Sequence, residues 1–526
     1  MKTKREFTCG RASRLLAATV ILAVLVPWGC AKRQVRQVAA PEKSSGLVPS
    51  TRSPYLKAHM NKGNVYVLQD WQIDQISRSV TGAGQLLDLN RRLIASDTFH
   101  FAFDSVALFE TNQVSVSPAV AALSVITGLS IGGTILCIAN PKSCFGSCPT
   151  FYVTDGHGPL LQAEGFSASI APFLEATDID ALFRAAPRGR QVNITMTNEA
   201  YETHVVRRAD LLIAKRSPAG RVLVDRDGRF WQVGPFVAPS SCLAPEGDCT
   251  EQVEHFDGRE RSSLSDSTDL AAKETLELTF ENPPDGDLGL AIACRQSLLS
   301  TYLFYQTLAY LGNQIGPAMA TLQRGDPQMR QQIGSIGKAL GGIDVLLEDS
   351  AGSWSTVATI HETGPLATDI RVVPLPRAGG DSLRVKLALN RGHWRLDCLA
   401  LVELAGPVQV DTVTPSLVRS HDRLDSAALA LLLDPDQYLV TFPGDEYELI
   451  YDLPGEAAEY ELFLQSRGYY LEWIRNEWVA EENLPRAAQM LLDPAQALRA
   501  LAPEYKAVEG ELEAMFWNSR YANPQE

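Results

Sequence analysis

The most constraining feature of the sequence is an alternation of apolar and polar side chains with a period of two. It recurs from about residue 60 to residue 470. Every second residue from Leu383 to Leu389 is apolar, and Arg384 and Lys386 lie between them. A period of two places the apolar side chains on one face of a β-strand. At 526 residues the chain is too long for one hydrophobic core.

The predicted fold class is therefore mainly β and multidomain. It comprises a small N-terminal β-barrel-like module, an apolar helical segment, a β-sandwich region with a helical insertion, and a helical C-terminal tail. The predicted boundaries are a signal peptide at 1–29, a flexible tether at 30–60, a β-rich module at 61–115, an apolar segment at 116–140, a β-rich domain at 141–290, a helical insertion at 291–341, a β-sandwich at 342–408, a β-hairpin region at 409–475 and a helical tail at 476–526.

The N-terminus has the organisation of a secretion signal. Basic residues precede an apolar run from Leu15 to Val26, and the segment ends in Gly29-Cys30. This order resembles a bacterial lipoprotein signal, in which the cysteine is acylated, so Cys30 is the predicted lipidation site. Pro27 and Trp28 depart from the usual pattern of such signals. The alternatives to a lipoprotein signal are an ordinary signal peptide and an uncleaved anchor.

A second uncharged run extends from Ser117 to Asn140 and is long enough to cross a bilayer. A single span here would return the rest of the chain to the cytoplasm, whereas a membrane-associated helix would leave it outside. Ser, Thr and Gly dilute the hydrophobicity of the run. Together with the cysteines, this favours an exported body.

The cysteines after the signal predict disulfide bonds, which are typical of exported proteins. Cys144 and Cys148 flank Phe-Gly-Ser, and Gly146 allows a tight loop between them. Cys242 and Cys249 flank a Pro-Glu-Gly turn. A zinc site would require two further ligands at knuckle spacing, and the sequence offers none, so no metal is predicted.

Charge and motifs limit the functional classes. A net charge of −15 argues against a nucleic-acid partner, which needs a basic face. No motif for a nucleotide, a cofactor or a hydrolase nucleophile is complete, so no cofactor and no catalytic residue are assigned. Two pairs are candidate functional surfaces: Asp155 and His157 in a glycine-rich turn, and Glu202 and His204 on one face of a strand.

Three segments resemble uncharacterised bacterial envelope lipoproteins: "CFGSCPTFYVTDG", "NEAYETHVVRRADLLIA" and "YELFLQSRGYYLEWIR". This resemblance brings no known function. The stretch from Ile343 to Leu404 resembles a galactose-binding-type β-sandwich in its strand order and in the placement of Trp354 and Trp394.

These observations predict a non-catalytic bacterial envelope lipoprotein, held at a membrane by its N-terminal lipid. It would be a structural or binding component that contacts polysaccharide or other envelope proteins. The alternatives are an envelope hydrolase with a site on loops, and a membrane-spanning signalling protein that crosses the bilayer at Ser117 to Asn140.

Overall fold

The structure is a computed structural model, in which the chain is mainly β. The residues that it describes are 33–39, 41–47, 56–60, 64–87, 93–115, 148–154, 159–185, 187, 189–199, 202–217, 220–315, 318, 327–361, 364–377, 380–420, 422–441, 445–472, 481–510 and 512.

The N-terminal residues form a six-stranded antiparallel sheet, here called sheet 1. Its strands, in spatial order, are β1 (Arg33–Ala39), β6 (Val106–Ser115), β2 (Leu56–Met60), β3 (Val65–Asp74), β4 (Ser79–Leu87) and β5 (Leu93–Ala102). Its core includes the buried side chains of Leu68, Trp71, Phe103 and Phe109.

Sheet 2 and sheet 3 form the first sandwich of the body. Sheet 2 has the order β26 (Arg423–Leu424), β25 (Leu417–Ser420), β28 (Glu446–Asp452), β10 (Gln191–Thr197), β7 (Thr150–Thr154) and β8 (Pro159–Glu164). Sheet 3 has the order β24 (Asp411–Val413), β11 (Glu202–Lys215), β29 (Tyr460–Glu472) and β9 (Ala176–Ala181), and β27 (Leu439–Thr441) also pairs with β11. Alternate side chains of the two sheets share one core.

A curled sheet forms the centre of the second half of the body. Its order is β13 (Phe230–Val233), β12 (Arg221–Val224), β21 (Asp369–Pro374), β18 (Leu288–Gln296), β23 (Trp394–Val408) and β16 (Arg261–Ser262). Because β13 also pairs with β23, five of these strands close into a barrel. Ala291 lies opposite Ala400, and Ala293 opposite Cys398. Side chains this small suit the narrow interior of a five-stranded barrel.

Sheet 4 packs against the barrel. Its order is β15 (Gly247–Asp248), β14 (Ser241–Ala244), β17 (Lys273–Glu281), β22 (Ser382–Asn390), β19 (Ile343–Glu348) and β20 (Trp354–Ile360). The alternating apolar residues of β17, β19 and β22 share a core with one face of β18 and β23. The face predicted for Leu383 to Leu389 is this buried face.

The two halves meet between sheet 3 and the barrel. Leu212, Ala214 and Phe463 of sheet 3 belong to the same core as the barrel alanines. The Arg221 guanidinium of β12 donates two hydrogen bonds of 2.7 Å to Glu461 of β29. The four layers are therefore sheet 2, sheet 3, the barrel and sheet 4.

Helices pack against these layers at separate places. They are α1 (Thr250–Val253), α2 (Leu299–Leu311), α3 (Pro327–Leu340), α4 (Ser426–Leu433), α5 (Leu484–Leu492) and α6 (Pro494–Lys506), with short 3₁₀ turns at Pro41–Gly46, Phe103–Ser105, Pro172–Leu174, Gly312–Gln314 and Ala457–Glu459. Asn483 and Asp493 cap α5 and α6 by accepting hydrogen bonds from Arg486 N and Gln496 N. Buried residues of α2, α5 and α6 form a helical core.

The flexible tether predicted at residues 30–60 is wrong for the residues that the structure describes. β1 pairs with β6 along its whole length, and β2 pairs with both β3 and β6. The sequence of β1, RQVRQVA, is polar enough to suggest a tether. Long-range backbone hydrogen bonds to β6, which a local pattern cannot reveal, make it a strand.

The predicted boundaries within the body also differ from the structure. The helical insertion at 291–341 begins inside β18, and the strands predicted as a sandwich at 342–408 pair with β17 and β18 of the preceding region. The hairpin predicted within 409–475 is wrong as well, because β27 joins sheet 3 and β28 joins sheet 2. Pairing between distant segments decides these cases.

A buried ion pair joins the barrel to sheet 4. Arg261 of β16 is fully buried, and its guanidinium donates to Glu274 of β17 at 2.6 and 3.0 Å. It also donates to Glu246 at 2.7 Å. Removing one partner leaves the buried guanidinium undercompensated, which is far more costly than breaking an exposed pair.

We expect Glu274→Gln to lower the free energy of unfolding by about 3 kcal/mol, because the charge that compensates Arg261 is lost. Urea-induced unfolding monitored by circular dichroism measures the change. The matched control is Glu348→Gln, which breaks a pair with the partly exposed Arg384 and should cost below about 1 kcal/mol. Equal losses in the two variants would contradict this account.

Candidate functional site

A pocket of about 630 Å³ lies between helices α2 and α3 and the ends of several strands. This volume is within the range of about 300–1,000 Å³ that is typical of small-molecule sites. Its walls come from α2, the end of α3, the start of β19, the end of β8 and the turn between β22 and β23. Both halves of the body therefore contribute to it.

The helical wall of the pocket contains an apolar stripe, next to Ser300, Thr301 and Thr307 of the same helix α2. Phe304, Leu308 and Leu311 recur at intervals of four and three residues, which places them on one face of α2. Ile336 and Leu340 of α3 face the same space. A ligand that fills this part of the pocket removes apolar surface from water.

Another part of the wall carries two neighbouring aromatic residues with polar atoms. His393 and Trp394 are 2% and 1% exposed, and their rings meet edge-on with centroids 5.2 Å apart. Among the described residues, neither Nδ1 of His393 nor Nε1 of Trp394 has a hydrogen-bond partner. Burial, assisted by the nearby Lys273 charge, lowers the pKa of His393 to about 3, so the ring is neutral at physiological pH.

Glu164 connects the two halves of the body at the edge of the pocket. It ends β8 and is 1% exposed, and its Oε2 accepts a hydrogen bond of 2.7 Å from Leu366 N. Gly364 has a φ of +86°, and a Cβ there would lie 2.6 Å from Glu164 Oε2. Glycine is thus required for both the turn and the close approach.

Among the site residues that were predicted from the sequence and that the structure describes, Cys148 lines this pocket. Cys148 is buried, whereas Cys144 lies outside the described residues. Cys30, the signal peptide and the apolar segment at 116–140 also lie outside them, as do Asp155 and His157. The predicted lipidation site, the bridge from Cys144 to Cys148 and the Asp155/His157 surface therefore stay predictions.

Glu202 and His204 share a face of their strand, but they lie in the interior rather than at the surface. They are 0% and 1% exposed, and His204 Nε2 is 3.1 Å from Glu202 Oε2. The His204 ring meets the ring of Tyr470 edge-on at 6.5 Å, and Tyr470 lines the pocket. The pair is buried because β11 lies inside the layered body, which the local alternation does not show.

Cys242 and Cys249 are neighbours across the β14–β15 hairpin. Both are buried, and Cys249 N donates a hydrogen bond of 2.8 Å to Cys242 O. Their sulphur atoms are 2.7 Å apart, whereas a disulfide bond is about 2.05 Å long. The structure places them as adjacent thiols, in a position to be oxidised to one another.

A second cleft, of about 460 Å³, is lined by arginine side chains on sheet 3. Arg207 and Arg467 both pair with Glu175, and the Arg207 guanidinium lies over the ring of Tyr438 at 4.1 Å. Arg208 is 3.7 Å from Asp210. Acidic partners therefore compensate much of the positive charge.

In the described part of the chain, no three His, Cys, Asp or Glu side chains are grouped so that they could hold a metal ion. No helix there combines the length and the hydropathy needed to cross a membrane.

Comparisons with known proteins give no family. No protein-family profile and no curated protein matches the chain. Solved structures are similar only weakly. An infectious bursal disease virus Gx strain structure aligns over 93% of this chain and 92% of its own at 10% identity and a TM-score of 0.16.

Two bacterial structures give comparable values. The GH31 alpha-xylosidase of Xanthomonas citri aligns over 80% of this chain and 38% of its own, at 10% identity and a TM-score of 0.14. SGBP-B from a xyloglucan utilization locus in Bacteroides uniformis aligns over 67% and 99%, at 11% identity and a TM-score of 0.15. At these scores, the likenesses carry no argument.

We expect the stability of the protein to fall as the pH decreases from about 6.5 towards 4, in part because of His393. The unfolded chain binds a proton at His393 near pH 6.5, while the folded chain does so only near pH 3. Unfolding therefore takes up a proton in this window, and the free energy of unfolding decreases by about 1.4 kcal/mol per pH unit for that group.

Urea unfolding at pH 7, 6, 5 and 4 tests this expectation. His393→Phe and His393→Gln should both reduce the slope of the unfolding free energy against pH, because neither side chain titrates. The reduction should correspond to about one proton fewer taken up on unfolding. A pH dependence identical to that of the unaltered protein would show that His393 is protonated in the folded state.

We expect both predicted cysteine bridges to form under oxidising conditions. Mass spectrometry of a non-reduced digest, alkylated before cleavage, should recover Cys242 linked to Cys249 and Cys144 linked to Cys148. Alkylated Cys242 and Cys249 in protein prepared without reductant would contradict the first bridge. Alkylated Cys144, or a link from Cys148 to another cysteine, would contradict the second.

Proposed function

We propose that the protein is a non-catalytic binding component of a bacterial cell envelope, anchored by a lipid on Cys30. The observation that carries the binding role is the 630 Å³ pocket, which combines apolar side chains from two helices with a small number of polar groups. Such a combination is typical of sites that retain a small molecule.

The electrostatics of the pocket favour binding over catalysis. A general acid or base works best when its pKa lies near the working pH. Burial lowers the pKa of His393 to about 3, so the ring is neutral at pH 7 and is a weak base there. It can still form a hydrogen bond as a neutral ring.

The envelope location is supported by the N-terminal sequence, and polysaccharide or another envelope protein remains the proposed partner of the outer surface. The segment from Ile343 to Leu404 resembles a galactose-binding-type sandwich, and this resemblance supports polysaccharide as the partner. Trp354, which belongs to that resemblance, is only partly buried on β20 and lies 4.2 Å from Lys386 Nζ, measured to the ring centroid.

An envelope hydrolase is the second candidate, and one observation favours it. Cys148 and Tyr470 both line the pocket, and the ring of Tyr470 meets His204 of the buried Glu202–His204 pair. A cysteine nucleophile needs a histidine base that a third group orients. Turnover of fluorogenic esters that is lost in both Cys148→Ala and His204→Phe would replace the binding proposal with this one.

We expect the chain to carry a lipid on Cys30 when it is expressed in a bacterium. Metabolic labelling with an alkyne-tagged fatty acid should mark the full chain, and globomycin should leave a larger precursor. Cys30→Ala should abolish the label, whereas Cys9→Ala, which alters the other cysteine of the signal region, should retain it. Labelling of the Cys30→Ala variant would contradict the anchor.

A further inference from the structure

The distribution of apolar and polar groups in the pocket lining indicates its ligand more closely than the pocket volume does. Phe304, Leu308 and Leu311 form an apolar side, and the turn between β22 and β23 places His393 and Trp394 at another. An occupant that satisfies both sides has an apolar body and a polar end. This inference rests on the binding role proposed above.

Burying Nδ1 of His393 and Nε1 of Trp394 costs free energy, and no hydrogen bond within the described residues offsets it. A polar group that is removed from water without a partner costs about 1–3 kcal/mol. Nδ1 of His393 and Nε1 of Trp394 both lack a partner among the described residues, and the two residues are adjacent in the pocket wall. A ligand atom that pairs with them would recover this cost.

The chemistry of the nitrogens indicates which ligand atom fits. The indole Nε1–H can only donate, so its partner is an acceptor oxygen. The neutral imidazole can accept from a hydroxyl through Nδ1, or donate from it in the other tautomer. A carbonyl oxygen next to a hydroxyl group, as in an ester of a polyol, suits this pair of atoms.

The charges around the pocket indicate an uncharged ligand. The charged side chains that line it are Glu164, Asp344 and Lys338, and Lys273 lies at the same wall, where it donates to Leu340 O. Because two carboxylates balance two ammonium groups, the pocket has no excess positive charge that would attract an anionic ligand. A buried charge without a partner would be strongly unfavourable.

We propose that the pocket binds an uncharged acyl ester of a polyol. Its acyl chain lies against the apolar faces of α2 and α3. Its ester carbonyl accepts a hydrogen bond from Trp394 Nε1, and a neighbouring hydroxyl group pairs with His393 Nδ1. Both nitrogens are closed off from solvent, so a small adjustment of the surrounding side chains accompanies binding.

The first experiment compares three water-soluble probes on the full chain kept in amphipol. Isothermal titration calorimetry measures 1-monooctanoylglycerol, octanoate with the same chain length and an anionic head, and maltose as a carbohydrate. The ester should bind at least 10-fold more tightly than octanoate, and maltose should not enter the pocket. Tighter binding of octanoate or maltose, or no binding of the ester, would overturn the proposal.

The second experiment uses two buried histidines that differ in their partners. His393→Phe removes a nitrogen without a described partner, so it should raise the melting temperature while weakening ester binding about 3- to 10-fold. His204→Phe removes a ring bonded to Glu202, so it should lower the melting temperature. A His393→Phe variant that binds the ester as well as the unaltered protein would refute the assignment.

Trp394 Nε1 has its own spectroscopic signal. In protein labelled with ¹⁵N at the indole nitrogens, Trp394→Phe assigns the resonance by its absence. The ester should move this resonance downfield as the hydrogen bond forms, and an unchanged resonance at saturating ester would contradict the proposed contact. These results are independent of acylation at Cys30, so failure here and failure of the envelope anchor are distinguishable.

Discussion

The structure depends on two strands, β18, which is buried on both faces along its length, and β23, which is buried on both faces from Leu396 to Val402. All nine residues of β18 are buried. Leu290 and Ile292 pack into the core shared with sheet 4, while Ala291 and Ala293 face the core that includes the barrel and sheet 3. A strand with water on one face can tolerate polar residues there, whereas β18 is apolar on both faces from Leu288 to Cys294. Small residues on one side and large ones on the other determine how the layers stack.

The pocket follows from this stacking. β23 begins with Trp394 at the end of the barrel, directly after the turn that contains His393. β8 of sheet 2 ends nearby at Glu164, whose carboxylate accepts a hydrogen bond from Leu366 N. Because strands of both halves end there, helices α2 and α3 enclose a pocket that combines apolar side chains with a small number of polar groups. The site is therefore a product of the assembled body and not of one domain.

Local sequence patterns predicted the strands better than their partners. The alternation around Leu383 identifies a strand with one buried face. The same patterns cannot show that β17 pairs with β22, more than 100 residues further along the chain, or that β27 and β28 join different sheets. Those outcomes depend on backbone hydrogen bonds between segments that are remote in sequence.

The candidate site was only partly accessible to such reasoning. Cys148, Glu202 and His204 attracted attention as chemical groups, and the structure buries all three, with Cys148 in the wall of the pocket. His393 was missed, although it stands between a glycine turn and a tryptophan that begins a strand. Its significance arises from burial without a described partner, which is a property of three-dimensional packing and has no local signature.

Native-state hydrogen exchange, followed by mass spectrometry of peptic peptides in low denaturant, tests most directly whether the four layers form one cooperative body. The account predicts that β11, β18, β23 and β29 exchange last, at a common rate set by global unfolding, because their amides lie in the two inner layers. If β11 and β29 instead exchanged in a separate, earlier step while β18 and β23 stayed protected, the two halves would be independent domains. The shared pocket would then lose its structural basis.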